Sequence, residues 1–133
     1  MKDRSRVLIS SDQDIVVARQ KGRALATELG FSPGNSTLIA TAISELARNI
    51  VSYAKHGEIL LEAIPASSPE GIMVVARDEG PGIADIEQAM RDGFSTSGGQ
   101  GLGLPGVRRL MDEFAIDSAP GKGTTVTIKK WNH

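Results

Sequence analysis

The chain has 133 residues, with 15 lysines and arginines against 16 aspartates and glutamates and a net charge of −1. That length suits one domain, residues 1–133, with a substantial core, and the scattered, balanced charge offers no basic surface for nucleic acid or anionic lipid. Absent cysteine excludes disulfides, thiolate zinc sites and a cysteine nucleophile, and with no apolar run of membrane-spanning length and a polar start a cytoplasmic protein is expected.

Residues 6–10 read as a short strand. Asp12 or Asp14 then caps a helix whose inward positions are Ile15, Ala18, Gly22, Leu25 and Leu29, closed by Gly30. After a turn at 31–34, Asn35 or Ser36 caps a second helix with an apolar stripe of Leu38, Ala42, Ile43, Leu46, Ala47 and Ile50, and with Lys55 and His56 at its end. Glu45 and Asn49 flank that stripe, and four-residue spacing projects both from one helix face. Residues 58–64 and 71–78 read as antiparallel strands joined by the turn-rich stretch 65–70, with Asp78 on the face shared by Ile72, Val74 and Ala76.

Residues 79–101 are glycine-rich around a short helical pattern at 83–91 and read as a lid. A third helix begins near 102–105, where proline is tolerated in the first turn, and runs to Glu113 through Val107, Leu110 and Met111. Strands at 114–118 and 124–129 close the chain around a Pro120-Gly-Lys-Gly turn. The expected fold is a two-layer α/β (α+β) sandwich, in which three helices cover one face of a mixed, mainly antiparallel sheet.

Taken singly, the polar motifs have ordinary explanations. A Glu/Asn pair at this spacing is most often a solvated helix edge, and Asp-x-Gly-x-Gly after a strand is most often a tight turn whose carboxylate caps local N–H groups. Gly101-Leu-Gly-Leu-Pro-Gly106 matches a dinucleotide fingerprint in letters, but a glycine loop rather than a strand precedes it and too little chain follows for a Rossmann unit. Gly121-Lys-Gly-Thr124 lacks the upstream glycine of a P-loop and sits between strands.

The fixed order of four motifs carries more weight. Glu45-Leu-Ala-Arg-Asn49, Asp78-Glu-Gly-Pro-Gly82, Gly99-Gln-Gly-Leu-Gly103 and Gly121-Lys-Gly-Thr124 resemble, in sequence, the N, G1, G2 and G3 boxes of the GHKL ATPase/kinase superfamily with its Bergerat fold. Ile43-Ser-Glu-Leu-Ala-Arg-Asn49, Asp92-Gly-Phe-Ser-Thr-Ser-Gly-Gly99 and the run from Gly103 to Phe114 further resemble the switch-protein serine kinases of its anti-sigma regulatory kinase group, which act in bacterial stress-response partner switching. The resemblance spans nearly the whole chain.

It implies ATP as phosphoryl donor and Mg2+ as cofactor. Magnesium is held by a few oxygens plus phosphates, and the Asn49 side chain suits that anchor; Glu45, one helical turn away, is the candidate general base for a serine hydroxyl. The resemblance assigns Asp78 to the adenine amino group, with Gly80, Gly82 and Ile83 around the base and Thr124 near the base or Asp78. Gly98, Gly99, Gly101, Leu102, Gly103 and Leu104 then form the phosphate-binding stretch, whose backbone N–H groups lie at a helix start. The implied substrates and sequestering partners are STAS-domain antagonists of the RsbS and RsbR type in a stressosome, and the implied target of the released kinase is an RsbU-like phosphatase. A nucleotide-gated binding module, acting as an anti-sigma factor or phosphatase activator without catalysis, is the alternative, although such a module has no need of Glu45. Arg48, about 100° around the helix from Asn49, is expected to contact a partner or cap a carboxylate. Ser95, Thr96 and Ser97 read as solvated loop hydroxyls, His56 and His133 as surface residues, and Met73, Met90, Met111, Phe94 and Phe114 as packing.

Overall fold

A computed structural model describes residues 4–65, 70–80, 103–119 and 121–132. In chain order the elements are β1 (Arg4–Ile9), α1 (Asp12–Glu28), α2 (Pro33–Asn49), a π-helical turn (Ile50–Ala54), β2 (Gly57–Ile64), β3 (Gly71–Asp78), α3 (Gly103–Leu110), β4 (Glu113–Ser118) and β5 (Thr124–Trp131). Alternation along the strands sorts side chains between two faces. Val7 and Ile9, Ile59 and Leu61, Ile72, Val74 and Ala76, and Val126 and Ile128 are buried in one cluster with Ile15, Ala18, Leu25 and Ala26 of α1, Ile39, Ala42, Ile43, Leu46 and Ala47 of α2, and Leu104 and Val107 of α3. The helices therefore cover one sheet face, as expected. The opposite face carries cross-strand ion pairs, Arg4 with Glu62 at 3.4 Å and Arg77 with Glu58 at 3.5 Å, and Arg6 also pairs with Glu58.

The sheet order is β1-β2-β3-β5-β4, and all four pairings are antiparallel where a mixed sheet was allowed for. The helix starts differ from expectation by local chemistry. At α1 the N-cap is Ser11, and Asp14 serves from inside the first turn: its Oδ2 accepts from the Ser10 and Ser11 N–H groups at 2.9 and 3.1 Å. At α2 the cap is Ser32 rather than Asn35 or Ser36, because Pro33 fits the first helical position and starts the helix earlier; the Ser32 hydroxyl accepts from the Asn35 N–H at 3.1 Å. Ser36 is buried instead. The apolar stripe correspondingly runs through Ile39, Ala42, Ile43, Leu46 and Ile50, and Leu38, one position off that face, is only half-buried.

The third helix, α3, ends at Leu110 and not at Glu113. The sheet captures the chain there: the Asp112 N–H donates to the Lys129 carbonyl at 3.0 Å, the Trp131 N–H donates to Asp112 Oδ2 at 2.7 Å, and Lys130 Nζ donates to the freed Leu110 carbonyl at 3.0 Å. Among the described residues no helix is long and apolar enough to cross a membrane.

The α1 cap has a measurable pH signature. The Ser10 N–H holds the Asp14 carboxyl below its ordinary value of 3.8, against a smaller opposing effect of desolvation and with help from both serine hydroxyls. Because the folded value is the depressed one, the cap stabilises fully above the unfolded carboxylate value and is lost as pH falls through the folded value. Asp14→Asn is expected to lower the melting temperature at neutral pH and to converge on wild type at acid pH, as followed by circular dichroism.

Candidate active site

Glu45 lies in the middle of the apolar stripe's edge, and only 4% of it is exposed. A buried carboxylate has to be paired or hydrogen-bonded, and both kinds of partner are present. Arg48, one turn on along α2, forms an ion pair with Oε2, so of the two expected roles for this arginine it caps a carboxylate. Oε1 accepts the N–H of Gly103 at 3.0 Å, a contact that joins α2 to the first residue of α3. Gly103 has φ of 70°, a left-handed conformation that suits glycine and turns its N–H toward α2. The sequence places this amide in the phosphate-binding stretch; in the structure its N–H donates to Glu45, the buried carboxylate that faces it. Leu104, next in the chain, is buried in the core with 1% exposure.

Asn49 is the last residue of α2 and half-buried, one turn beyond Glu45. The helix then widens into the π turn, a feature frequent at functional positions. That turn presses on the end of β3. A Cβ on Gly80 would come within 2.6 Å of Ala54 Cβ, so glycine is what lets the segment after Asp78 lie against the turn that follows Asn49. Asp78 itself ends β3, with Gly57 and Thr124 as its register neighbours, and its Oδ1 accepts from the Gly80 N–H at 2.9 Å. The carboxylate therefore does cap its own turn. Thr124 is beside Asp78 through backbone register, but its hydroxyl pairs with Ser118 Oγ at 2.8 Å across β4 and β5.

Tertiary packing thus brings Glu45, Asn49, Asp78, Gly80, Gly103, Leu104 and Thr124 to the helix-covered side and the adjoining strand ends. Gly82, Ile83, Gly98, Gly99, Gly101 and Leu102 lie outside the described residues, as do residues 81–101 of the expected lid with its helical pattern, Met90, Phe94, Ser95, Thr96 and Ser97, and also His133. His56 is exposed, while Met111 and Phe114 pack against the core. Two contacts were not legible in the sequence. Gly123, a member of the Gly-x-Gly-Thr motif, has φ of 76° and backs directly onto the Asp78 carbonyl. The Gly103 link to Glu45 spans 58 residues. Among the described residues no group of three His, Cys, Asp or Glu side chains could hold a metal ion by itself. Magnesium bound mainly through phosphates and water needs only one or two protein oxygens, and the Asn49 amide fits that demand.

The profile of the histidine kinase-, DNA gyrase B- and HSP90-like ATPases matches residues 34–132. The chain belongs to that family. Over 131 residues this ATPase chain is 53% identical to the serine/threonine-protein kinase RsbT of Bacillus subtilis (strain 168), covering 98% of each. Over 127 residues it is 34% identical to an anti-sigma F factor of Thermoanaerobacter sp. (strain X514), covering 92% of this chain and 89% of the relative. Among solved structures, the RsbU and RsbW domains of a Mycobacterium tuberculosis protein superpose with a TM-score of 0.67 at 20% identity, over 98% of this chain and 32% of the other. The histidine kinase domain of a blue-light activated kinase from Erythrobacter litoralis superposes with a TM-score of 0.57 at 19% identity, covering 91% and 60%. Those two likenesses concern the fold. The identity to RsbT places this ATPase in the class of protein serine/threonine kinases.

Gly123 offers a direct test of how tightly the Asp78 end is built. An alanine Cβ there would stand 2.2 Å from the Asp78 carbonyl oxygen, in a left-handed backbone. Gly123→Ala is expected to cost roughly 1–3 kcal/mol of stability, read as a lower urea midpoint with an unchanged slope.

Proposed function

We propose that the whole chain acts as one ATP- and magnesium-dependent kinase domain, which phosphorylates a serine or threonine of STAS-domain antagonists of the RsbS and RsbR type in stressosome partner switching. Released from those antagonists, it binds and activates an RsbU-like phosphatase. The observation that carries the catalytic part of this reading is the buried carboxylate of Glu45, held by Arg48 and the Gly103 N–H one turn before Asn49. A helix packed only for stability gains little from an ionised group in that position.

In this reading the acceptor hydroxyl attacks the γ-phosphorus, the bond from that phosphorus to the β–γ bridging oxygen breaks, and ADP leaves. Glu45 accepts the hydroxyl proton as the new P–O bond forms. Asn49 contributes its side-chain oxygen to magnesium, which when bound offsets charge on the phosphates. Asp78 accepts from the adenine amino group, in a turn fixed by Gly80 and Gly123, and with Gly82 and Ile83 beside the base and Thr124 next to Asp78 in register. Gly98, Gly99, Gly101, Leu102 and Leu104 contribute the phosphate-binding backbone, with Gly103 at its junction with Glu45. The family membership supports ATP as the donor, and the identity to RsbT supports a protein acceptor. A cytoplasmic setting suits this chemistry.

The likeness to an anti-sigma F factor favours a second reading, a nucleotide-gated binding module. Such a module can use Asn49 and Asp78 but has no task for a proton acceptor. Intact-mass spectrometry of a purified RsbS-like STAS protein, incubated with the chain and Mg-ATP, separates the two. Wild type is expected to add one phosphoryl group, and Glu45→Ala to slow that addition by roughly 10²- to 10⁴-fold. ATP-dependent complex formation with no adduct would favour the binding module. For the adenine end, Asp78→Asn is expected to weaken ATP binding by about tenfold in calorimetry, the scale of one lost buried hydrogen bond. Unchanged affinity would remove Asp78 from the base.

A further inference from the structure

The Glu45–Arg48 pair is unlike an ordinary helix-surface pair. Ion pairs three or four residues apart on an exposed helix are weak, because both charges keep their water and both side chains lose freedom. Here one end is in the core and the other reaches solvent: the Glu45 side chain is 5% exposed and the Arg48 side chain 37%. Arg48 thus supplies a fixed counter-charge to a group that has lost most of its hydration. The second contact differs in kind. The Gly103 N–H is a backbone dipole at the start of α3, and it binds the other carboxylate oxygen at 3.0 Å. Among the described residues, Arg48 of α2 and the Gly103 N–H of α3 bind different carboxylate oxygens and so both bear on the orientation of the carboxylate plane.

We infer that Arg48 is a positioning residue for phosphoryl transfer, which holds the Glu45 carboxylate in the orientation that receives the acceptor proton. This rests on the reading of Glu45 as that proton acceptor. Guanidinium geometry matters to the argument, since a planar, always-charged fork fixes direction where an ammonium supplies only a point charge. A misplaced reacting group costs rate without touching the nucleotide, so the expected signature lies in kcat and not in ATP binding.

The test measures kcat and KM for ATP, with the STAS protein of the mass assay as acceptor, for wild type, Arg48→Met, Arg48→Lys, Glu45→Gln and the double variant Glu45→Gln with Arg48→Met. Arg48→Met is expected to lower kcat by about tenfold or more with KM for ATP unchanged. Arg48→Lys should recover part of that loss. In the Glu45→Gln background the methionine substitution should add nothing, because the group it positions is already gone. Wild-type kcat in Arg48→Met, an equal loss in both backgrounds, or a faster enzyme would overturn the inference; the last would mean that Arg48 holds the base out of use. Should Arg48→Met fail to fold, Arg48→Lys alone decides, through reduced kcat at unchanged KM against no change. Glu45→Gln at the wild-type rate would remove the proton-acceptor reading itself, whereas a slow Glu45→Gln beside a fully active Arg48→Met removes only the role of Arg48.

Discussion

The buried charge of Glu45 is the constraint around which the site is organised. A carboxylate in an apolar stripe is tolerated only with compensation, and among the described residues two elements contribute to it. Arg48 answers it from the same helix, and the Gly103 N–H answers it from the start of α3. The second contact ties the first described residue of α3 to α2. With Leu104 and Val107 buried in one cluster with Leu46 and Ala47, both the polar contact and apolar packing hold α3 against α2.

The other half of the site depends on the sheet. Antiparallel register sets Asp78 between Gly57 and Thr124, and close packing then joins strand end to helix end: Gly80 against Ala54, Gly123 against the Asp78 carbonyl. The part of these glycines is to let backbones approach, so that the turn after Asp78 lies against the π turn after Asn49. The motif residues are separated by long stretches of chain but share a framework that, among the described residues, has three α-helices and five strands. The likeness in fold follows that framework, since structures only 19–20% identical to this chain still superpose over more than nine-tenths of it.

Most of the architecture was legible because it rests on periodicity. The 3.6-residue stripe of α2 and the alternation of β2, β3 and β5 record burial in every residue. Boundaries were less legible, and for identifiable reasons. Pro33 moved the start of α2 because φ restriction and a preceding serine outweigh two later capping candidates. Contacts from Lys130 and Asp112 ended α3 early, and these depend on β5, which follows later in the chain. Arg48 showed a comparable mixture. Its spacing from Glu45 allowed a carboxylate cap, but only packing revealed that the carboxylate was buried.

The sequence by itself determined the identities and order of the polar motifs, the helix and strand patterns, and the resemblance to an ATP-dependent kinase superfamily, because these are local in the chain or carried by residue type. Tertiary structure decided which groups meet. It gave the Gly103 amide to Glu45, paired the Thr124 hydroxyl with Ser118 and set Gly123 behind Asp78. Each of those choices depends on the geometry of contact between distant segments: a donor goes to the buried acceptor that packing brings within reach, whatever the motif around it suggests.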